Sequence, residues 1–532
     1  MAINWKFWWC ILLPILLCPF LIFGNEESKP MLKCSYVILL MALFWVLEAL
    51  PIPITSLLPV ALFPLLGLQS TSQVVGNYMK ESGMMFLGGI SLALGISHCG
   101  LHKRLALKTL LVIGTSPWRL LFGVLLTTSF LSCWVVSTTA AAMAVPIVSG
   151  LVEAFNVSDK ERKKLRILFF LAAGYGANVG GTAVIIGSSA NLIFRDLVAL
   201  ENIGQNGKYR DINFATWAAF GVPIALVNIL IVWGVLGFIH LRGKKSLPDD
   251  VDDDISQDTD AHTVRKNLSQ KLKDLGPLSF HEKAISVIFG LTVLLWFTRD
   301  PQVFPGWQEV LFPSGQIKIG DSSVAIIMVF VMFTIPKDPK VILKWKKLGS
   351  STETLMTWSH LQSNFPWSVL LLLGGGFAIS DGAQVSGLSE WVGQQLEGLS
   401  SLPHPVLLFI ILLIVSVLTE FTSNSGTVSL LTPILFSLSR RLDIHPLYVS
   451  FAAVIVSQYA FVLPTSNPSN AICFAAGELR IKDMATPGVI LNFLCLIVLF
   501  VLHISYGQLI FNFSNYSYSN ITIGDGGSEL LF

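Results

Sequence analysis

Two stretches of this chain repeat each other at a fixed spacing, and both put hydroxyl and amide residues inside apolar runs. The first reads Leu131-Ser132-Cys133-Trp134-Val135-Val136-Ser137-Thr138-Thr139 and continues to Pro146. The second reads Leu418-Thr419-Glu420-Phe421-Thr422-Ser423-Asn424-Ser425-Gly426 and continues to Pro433. Leu131 pairs with Leu418, Ser132 with Thr419, Ser137 with Asn424 and Pro146 with Pro433, each 287 positions apart (419 − 132). A constant offset along a whole stretch argues for internal duplication. Polar residues set in apolar surroundings suit a backbone that breaks its helix to hold something polar at membrane depth.

Composition fixes the solvent. Of the residues, 53% are hydrophobic and 13% charged, against about 25% charged in soluble domains. Many apolar runs reach the roughly 18–20 residues that cross a bilayer. The chain is therefore read as an all-α polytopic membrane protein. A net charge of +2 gives no reason to expect nucleic acid as a partner. The seven cysteines match no zinc pattern and read as small packing residues. Nine scattered histidines form no ligand spacing, so no catalytic residue is assigned and no enzyme is expected. The first apolar run reads as a membrane helix rather than a signal peptide, because no small-residue cleavage site precedes Asn25.

About eleven transmembrane helices are expected, at roughly 7–23, 34–50, 52–68, 84–100, 167–199, 214–240, 284–297, 324–335, 367–379, 447–476 and 489–509. Two basic patches, His102 to Lys108 and Lys160 to Arg166, flank the first repeated stretch. Short basic loops stay in the cytoplasm, so the region between them leaves and returns on one side as a re-entrant hairpin. A second hairpin holds the second stretch. Counting on from the span at 84–100, that at 367–379 is the fifth, an odd number, so the halves form an inverted repeat. The resulting division is 1–116, then 117–242 (hairpin 117–157, broken helix 165–200), a cytoplasmic linker 243–282, then 283–400, 401–510 (hairpin 404–440, broken helix 447–477) and an extracellular tail 511–532. The amino terminus is placed in the cytoplasm and the carboxyl terminus outside. Sequons at Asn512, Asn515 and Asn520 suit a glycosylated outer tail. Asn156 and Asn267 also begin sequons but fall inside on this topology.

Four polar breaks should then converge: Ser132 to Thr139, Thr419 to Thr427, Gly180 to Asn191 and Pro464 to Asn470. Freed carbonyls and side-chain oxygens can replace the water shell of a small cation, while amide donors at half-helix N-termini suit an anion. No Arg or Lys lies in any of the breaks, so an anion would need charge compensation from bound cations. Inverted repeats with such breaks mark a secondary transporter. A channel could share them; saturable uptake and counterflow separate the two. Gly88-Gly89 and Gly374 to Gly376 read as close-packing positions. Glu420 is the leading intramembrane charge, functional or a structural hydrogen-bonding partner alike; Glu48 reads as interfacial or paired, and Asp381 and His98 as solvated.

At these residues the sequence resembles the divalent anion–sodium symporter family, the solute carrier family 13 group of sodium-coupled dicarboxylate, citrate and sulfate transporters. The resemblance rests on Phe86-Leu87-Gly88-Gly89, Leu101-His102-Lys103-Arg104-Leu105-Ala106-Leu107, Leu372-Leu373-Gly374-Gly375-Gly376-Phe377-Ala378, Ser386-Gly387-Leu388-Ser389 and Asn470-Ala471-Ile472, and covers nearly the whole chain. It implies a homodimer in the plasma membrane, with a fixed scaffold (1–116 and 283–400) and an elevator-like transport domain (117–242 and 401–510). It also implies Na+ as coupling ion, bound at one site by Ser132, Ser137 and Gly187 and at another by Thr419, Thr422, Asn424 and Ser466. Substrate contacts would be Thr138, Ser188, Ser189, Ser423, Ser425, Asn467 and Pro468. The family's Ser-Asn-Thr tip motif reads Val136-Ser137-Thr138 and Ser423-Asn424-Ser425 here, and its Pro before Asn is Ala190 and Ser469. The expected activity is sodium-coupled symport of small divalent anions such as succinate or citrate. Sulfate, or sodium-independent exchange through a weakened first cation site, stands as the alternative.

Overall fold

The computed structural model describes residues 5–22, 25, 28–47, 49–114, 116–153, 155, 157–200, 212–241, 265–300, 305–313, 319–338, 353–395, 402–464 and 466–515. Among these the chain is all-helical, with one isolated bridge between Pro336 and Thr354. The helices used below are α1 (Trp5–Leu17), α2 (Lys29–Leu47), α3 (Glu81–His98), α4 (Leu101–Ile113), α5 (Pro117–Trp134), α6 (Ser137–Glu153), α7 (Asp159–Gly181), α8 (Ser189–Leu200) and α9 (Phe214–Leu241). After the gap follow α10 (Phe280–Arg299), α11 (Asp321–Thr334), α12 (Trp367–Val385), α13 (His404–Phe421), α14 (Asn424–Arg441), α15 (Pro446–Val456), α16 (Pro468–Gly477) and α17 (Ile481–Leu502).

Five described helices are long and apolar enough to cross a membrane: 214–241, 280–299, 367–385, 404–421 and 481–511. The pair at 83–98 and 101–113, bent by 69°, makes a sixth if it is one span. Shorter apolar helices include α6, α11 and α15; α6 starts at the first tip and α15 stops short of the second broken-helix break. Fewer described helices therefore have the length and apolarity of a span than the eleven expected, and α13, the first arm of the second hairpin, is among those that do.

The duplicated parts interlock reciprocally. The second arm of the first hairpin, α6, packs on α16, the second half of the other repeat's broken helix. The second arm of the other hairpin, α14, packs on α8 in the same way. Close backbone approach makes the α5–α7 seam possible: a Cβ on Gly180 would lie 2.2 Å from the Ser129 carbonyl, and one on Gly176 2.3 Å from Thr128 Oγ1. Small residues do this work between membrane helices, where the hydrophobic effect offers little drive. Gly88 and Gly374 are likewise packing positions, against Ala325 and Tyr78. The helix at Leu388–Gln395 packs on α14 and α2.

Three expectations are corrected here. Residues 265–274, within the expected linker 243–282, are helical, with Leu268 buried; residues 243–264, including the Asp run, lie outside the described residues. The docking comes from Arg104, read above as part of an exposed basic patch. Its guanidinium is buried, pairs with Glu282 at 2.9 Å and donates to the carbonyls of Leu275, Gly276 and Pro277. Asp381 and His98 are partnered rather than solvated. Asp381 accepts from Gln69 and Asn77, and His98 shares the Leu355 carbonyl with His281. Glu48 is outside the described residues, as are Asn156 and Asn520. Asn512 is exposed directly after the last helix, and Asn515 ends a 3-10 turn.

Candidate functional site

The four polar breaks meet. A cavity of about 630 Å³ is lined by Val136, Ser137 and Thr138 of the first tip and Ser423, Asn424 and Ser425 of the second. Ser188 and Ser189 line it from the first broken helix, and Asn467 and Pro468 from the second. All seven residues expected to touch substrate are therefore on one wall system. Ser189 and Ser425 hydroxyls lie 2.7 Å apart and tie the two repeats together at the cavity. Ala49 to Pro53 and Ser368, Val369 and Leu372 also line the cavity.

Local chemistry makes the breaks. In the second tip α13 ends at Phe421 and Ser423 caps α14, its side chain accepting from the Gly426 amide at 3.1 Å. Asn467 caps α16 through the Ser469 amide, with Pro468 at the first helical position where its missing N–H costs nothing. In the first tip the capping position is Val136, which has no side-chain oxygen. There the Thr139 amide bonds the Val136 carbonyl instead. The departure from the family motif is thus also the loss of a helix cap.

Of the expected sodium ligands, Ser137 and Asn424 line the cavity, whereas Ser132, Gly187, Thr419, Thr422 and Ser466 are not among its lining residues. Ser132, Gly181 and Gly187 crowd together: a Cβ on Gly187 would be 2.7 Å from the Gly181 carbonyl and 3.0 Å from that of Ser132. On the other side Thr419 Oγ1 donates to the Ser457 carbonyl at 2.6 Å and lies 3.0 Å from Asn424 Oδ1. Ser132 Oγ donates to the Ala177 carbonyl at the same 2.6 Å, so repeat-related residues pin both tips alike. Thr422 bonds Thr427 and the Leu418 carbonyl within its own hairpin, and Ser466 bonds the Ala460 and Leu463 carbonyls within its own break. The donor set is all oxygen, from carbonyls, hydroxyls and one amide, which suits a hard monovalent cation more than a transition metal.

Glu420 acts structurally. It accepts from the amides of Val462 and Leu463 and from Asn492 Nδ2, holding the backbone that enters the second break. Two features were missed at the sequence level. Lys6, from α1, lines the cavity and puts a positive charge where none was expected. Its separation along the chain gave no signal. The other is a pair of buried amides, Asn178 and Gln458, which bond Asn470 and Asn191, the last residues of the two broken-helix breaks.

Paired hairpins and paired broken helices, interlocked reciprocally around one cavity on which hydroxyls and amides converge, in an apolar helical chain, define a secondary transporter of the repeat-built class. Residues 4–513 match the family described as the sodium:sulfate symporter transmembrane region. The chain belongs to that family, the divalent anion–sodium symporters of solute carrier family 13. It is 34% identical to the Na(+)/citrate cotransporter of Rattus norvegicus, over 96% of each chain. It is 33% identical to solute carrier family 13 member 2 of Homo sapiens, over 98% of each. With Na(+)/dicarboxylate cotransporter 3 of Rattus norvegicus the identity is 31%, over 95% of this chain and 92% of the relative. Among solved structures, the Alcanivorax borkumensis YdaH transporter aligns with a TM-score of 0.51 at 15% identity, over 82% of this chain and 88% of that one; this likeness concerns the fold.

Proposed function

We propose that this chain is a sodium-coupled symporter of small di- and tricarboxylates, succinate or citrate in class, working as a plasma-membrane homodimer. The observation that carries this reading is the convergence of both tips and both breaks on one cavity of about 630 Å³, within the size range of small-molecule sites. Its hydroxyls and amides suit carboxylate oxygens, and the relatives named for citrate and dicarboxylate favour these over sulfate. Sodium held by the Ser132–Ser137–Gly187 and Thr419–Thr422–Asn424–Ser466 groups would offset the substrate's charge, with Lys6 adding to it. Carboxylate contacts fall to Thr138, Ser188, Ser189, Ser423, Ser425, Asn467 and Pro468. The transport parts 117–242 and 401–510 would move as a unit against the scaffold, with a cytoplasmic amino terminus and an outer, glycosylated tail.

The test is uptake of labelled succinate, citrate and sulfate into expressing cells, with sodium or choline outside. Sodium-dependent uptake of succinate or citrate is expected. Uptake of sulfate alone would overturn the substrate class, and carboxylate uptake indifferent to sodium would overturn the coupling. No uptake with surface expression confirmed would overturn the reading itself.

A further inference from the structure

Beneath the cavity the two breaks are braced across the repeat boundary by a matched set of buried amides. Asn191 Nδ2 donates to the carbonyls of Gly181 and Val184, both at 2.9 Å. Asn470 Nδ2 donates to those of Ala460 and Leu463, at 2.6 and 3.4 Å. All three positions correspond at one spacing of 279 (470 − 191). What holds each asparagine comes from the other repeat. Gln458 Nε2 donates to Asn191 Oδ1, and Asn178 Nδ2 donates to Asn470 Oδ1 at 3.0 Å. Asn178 and Gln458 are themselves 280 apart (458 − 178). The same offset relates Ala177 and Ser457, whose carbonyls take the bonds from Ser132 and Thr419. The four amides are between 0% and 2% exposed. Asn178 Oδ1 further accepts from Asn467 Nδ2 and from Ser469 Oγ, fixing a cavity-lining residue directly.

We propose that Asn178 and Gln458 are positioning residues that make the two half-sites respond as one. Each sets the asparagine that shapes the opposite repeat's break, so cation binding on one side fixes carbonyl geometry on the other. The alternatives open to these asparagines are poor. Without its Gln458 partner, Asn191 either leaves a buried acceptor unpaired or turns its Oδ1 onto the Gly181 and Val184 carbonyls, and both cost stability at this depth. The inference rests on the sodium-coupled reading above.

The test uses full-length Gln458→Met, Asn178→Leu and their combination, with Asn77→Leu as control. Asn77 is a buried amide that donates to Asp381 Oδ2 within the scaffold of the proposed division. Carboxylate uptake is measured against sodium concentration, and sodium-induced thermal stabilisation is measured on purified protein. Q458M should raise the half-saturating sodium concentration roughly three- to tenfold, the scale of one buried hydrogen bond; N178L, which also loses the bonds from Asn467 and Ser469, should raise it at least as much, and both should lower the Hill coefficient. The double variant should fall short of the product of the two effects, as expected of coupled sites. The control should lose at most maximal rate. Should Q458M not reach the surface, Gln458→Asn, whose amide is one methylene short of Asn191, is read the same way. Unchanged sodium dependence in the brace variants, with only maximal rate reduced, overturns the inference. Wild-type protein lacking both sodium-driven uptake and sodium-induced stabilisation overturns the transport reading instead.

Discussion

Val136 and Ser137 stand where the second tip has Ser423 and Asn424, and the exchange removes two things. One is the cap that Ser423 gives the Gly426 amide; losing such a cap costs about 0.5–2 kcal/mol. The other is an amide oxygen of the kind Asn424 holds 3.0 Å from Thr419 Oγ1. Ser137 faces the cavity with a shorter side chain. Ser137→Asn should therefore tighten sodium binding, seen as a lower half-saturating concentration in uptake; an unchanged or higher value would sink the idea. At this scale the cavity wall was readable in the sequence. Hydroxyls and amides repeated at one offset inside apolar runs have few structural reasons to be there, and they do line one space. Lys6 was not readable, since its place depends on where α1 packs. Nor were Asn178 and Gln458, because one buried amide within a helix carries no periodicity that separates a brace from a packing residue.

The half-helix is the unit that builds the site, and its ends were legible for a physical reason. Gly180-Gly181, Pro464 and Pro468 cannot continue a helix cheaply, so the breaks follow from residue type. The seam between α5 and α7 was less legible, because glycines read alike whether they bend a chain or admit a neighbour. Gly180 tests the distinction. It lies within α7, and an added methyl would meet the Ser129 carbonyl, Cα and carbonyl carbon at 2.2 to 2.7 Å. These are backbone atoms and cannot step aside. Gly180→Ala should push the first hairpin away from its broken helix, at a cost of about 1–3 kcal/mol or more. The expected result is a clearly lowered melting temperature of the purified protein, with the Ser132–Gly187 sodium group disturbed. A variant as stable as wild type would show that the seam has slack. The helix at 265–274 went unread for the opposite reason. Its sequence is polar, and its docking rests on Arg104 reaching three carbonyls and on a single buried Leu268.

Across the whole molecule, one charge cluster joins parts that the transport reading requires to separate. Asp321, fully buried at the start of α11, pairs with Arg299 of α10 at 2.7 Å and with Arg195 of α8 at 3.6 Å. Arg195 also reaches Glu81 at the start of α3, at 3.3 Å. Arg299, Asp321 and Glu81 belong to the scaffold of the proposed division, whereas Arg195 lies on the first broken helix and would travel with the substrate. The two arginines should then behave differently. Arg299→Gln leaves a buried carboxylate with only the longer contact to Arg195, and losing one partner of a buried pair costs about 3–5 kcal/mol. Its expected signature is a large drop in melting temperature. Arg195→Gln leaves Asp321 paired with Arg299 and removes a bond that must break and re-form in each cycle, so stability should fall less while uptake per surface transporter changes. Turnover equal to wild type in Arg195→Gln, with Arg299→Gln destabilised as expected, would mean that α8 stays against α3 and α11 throughout transport. The moving body would then have to be drawn without it.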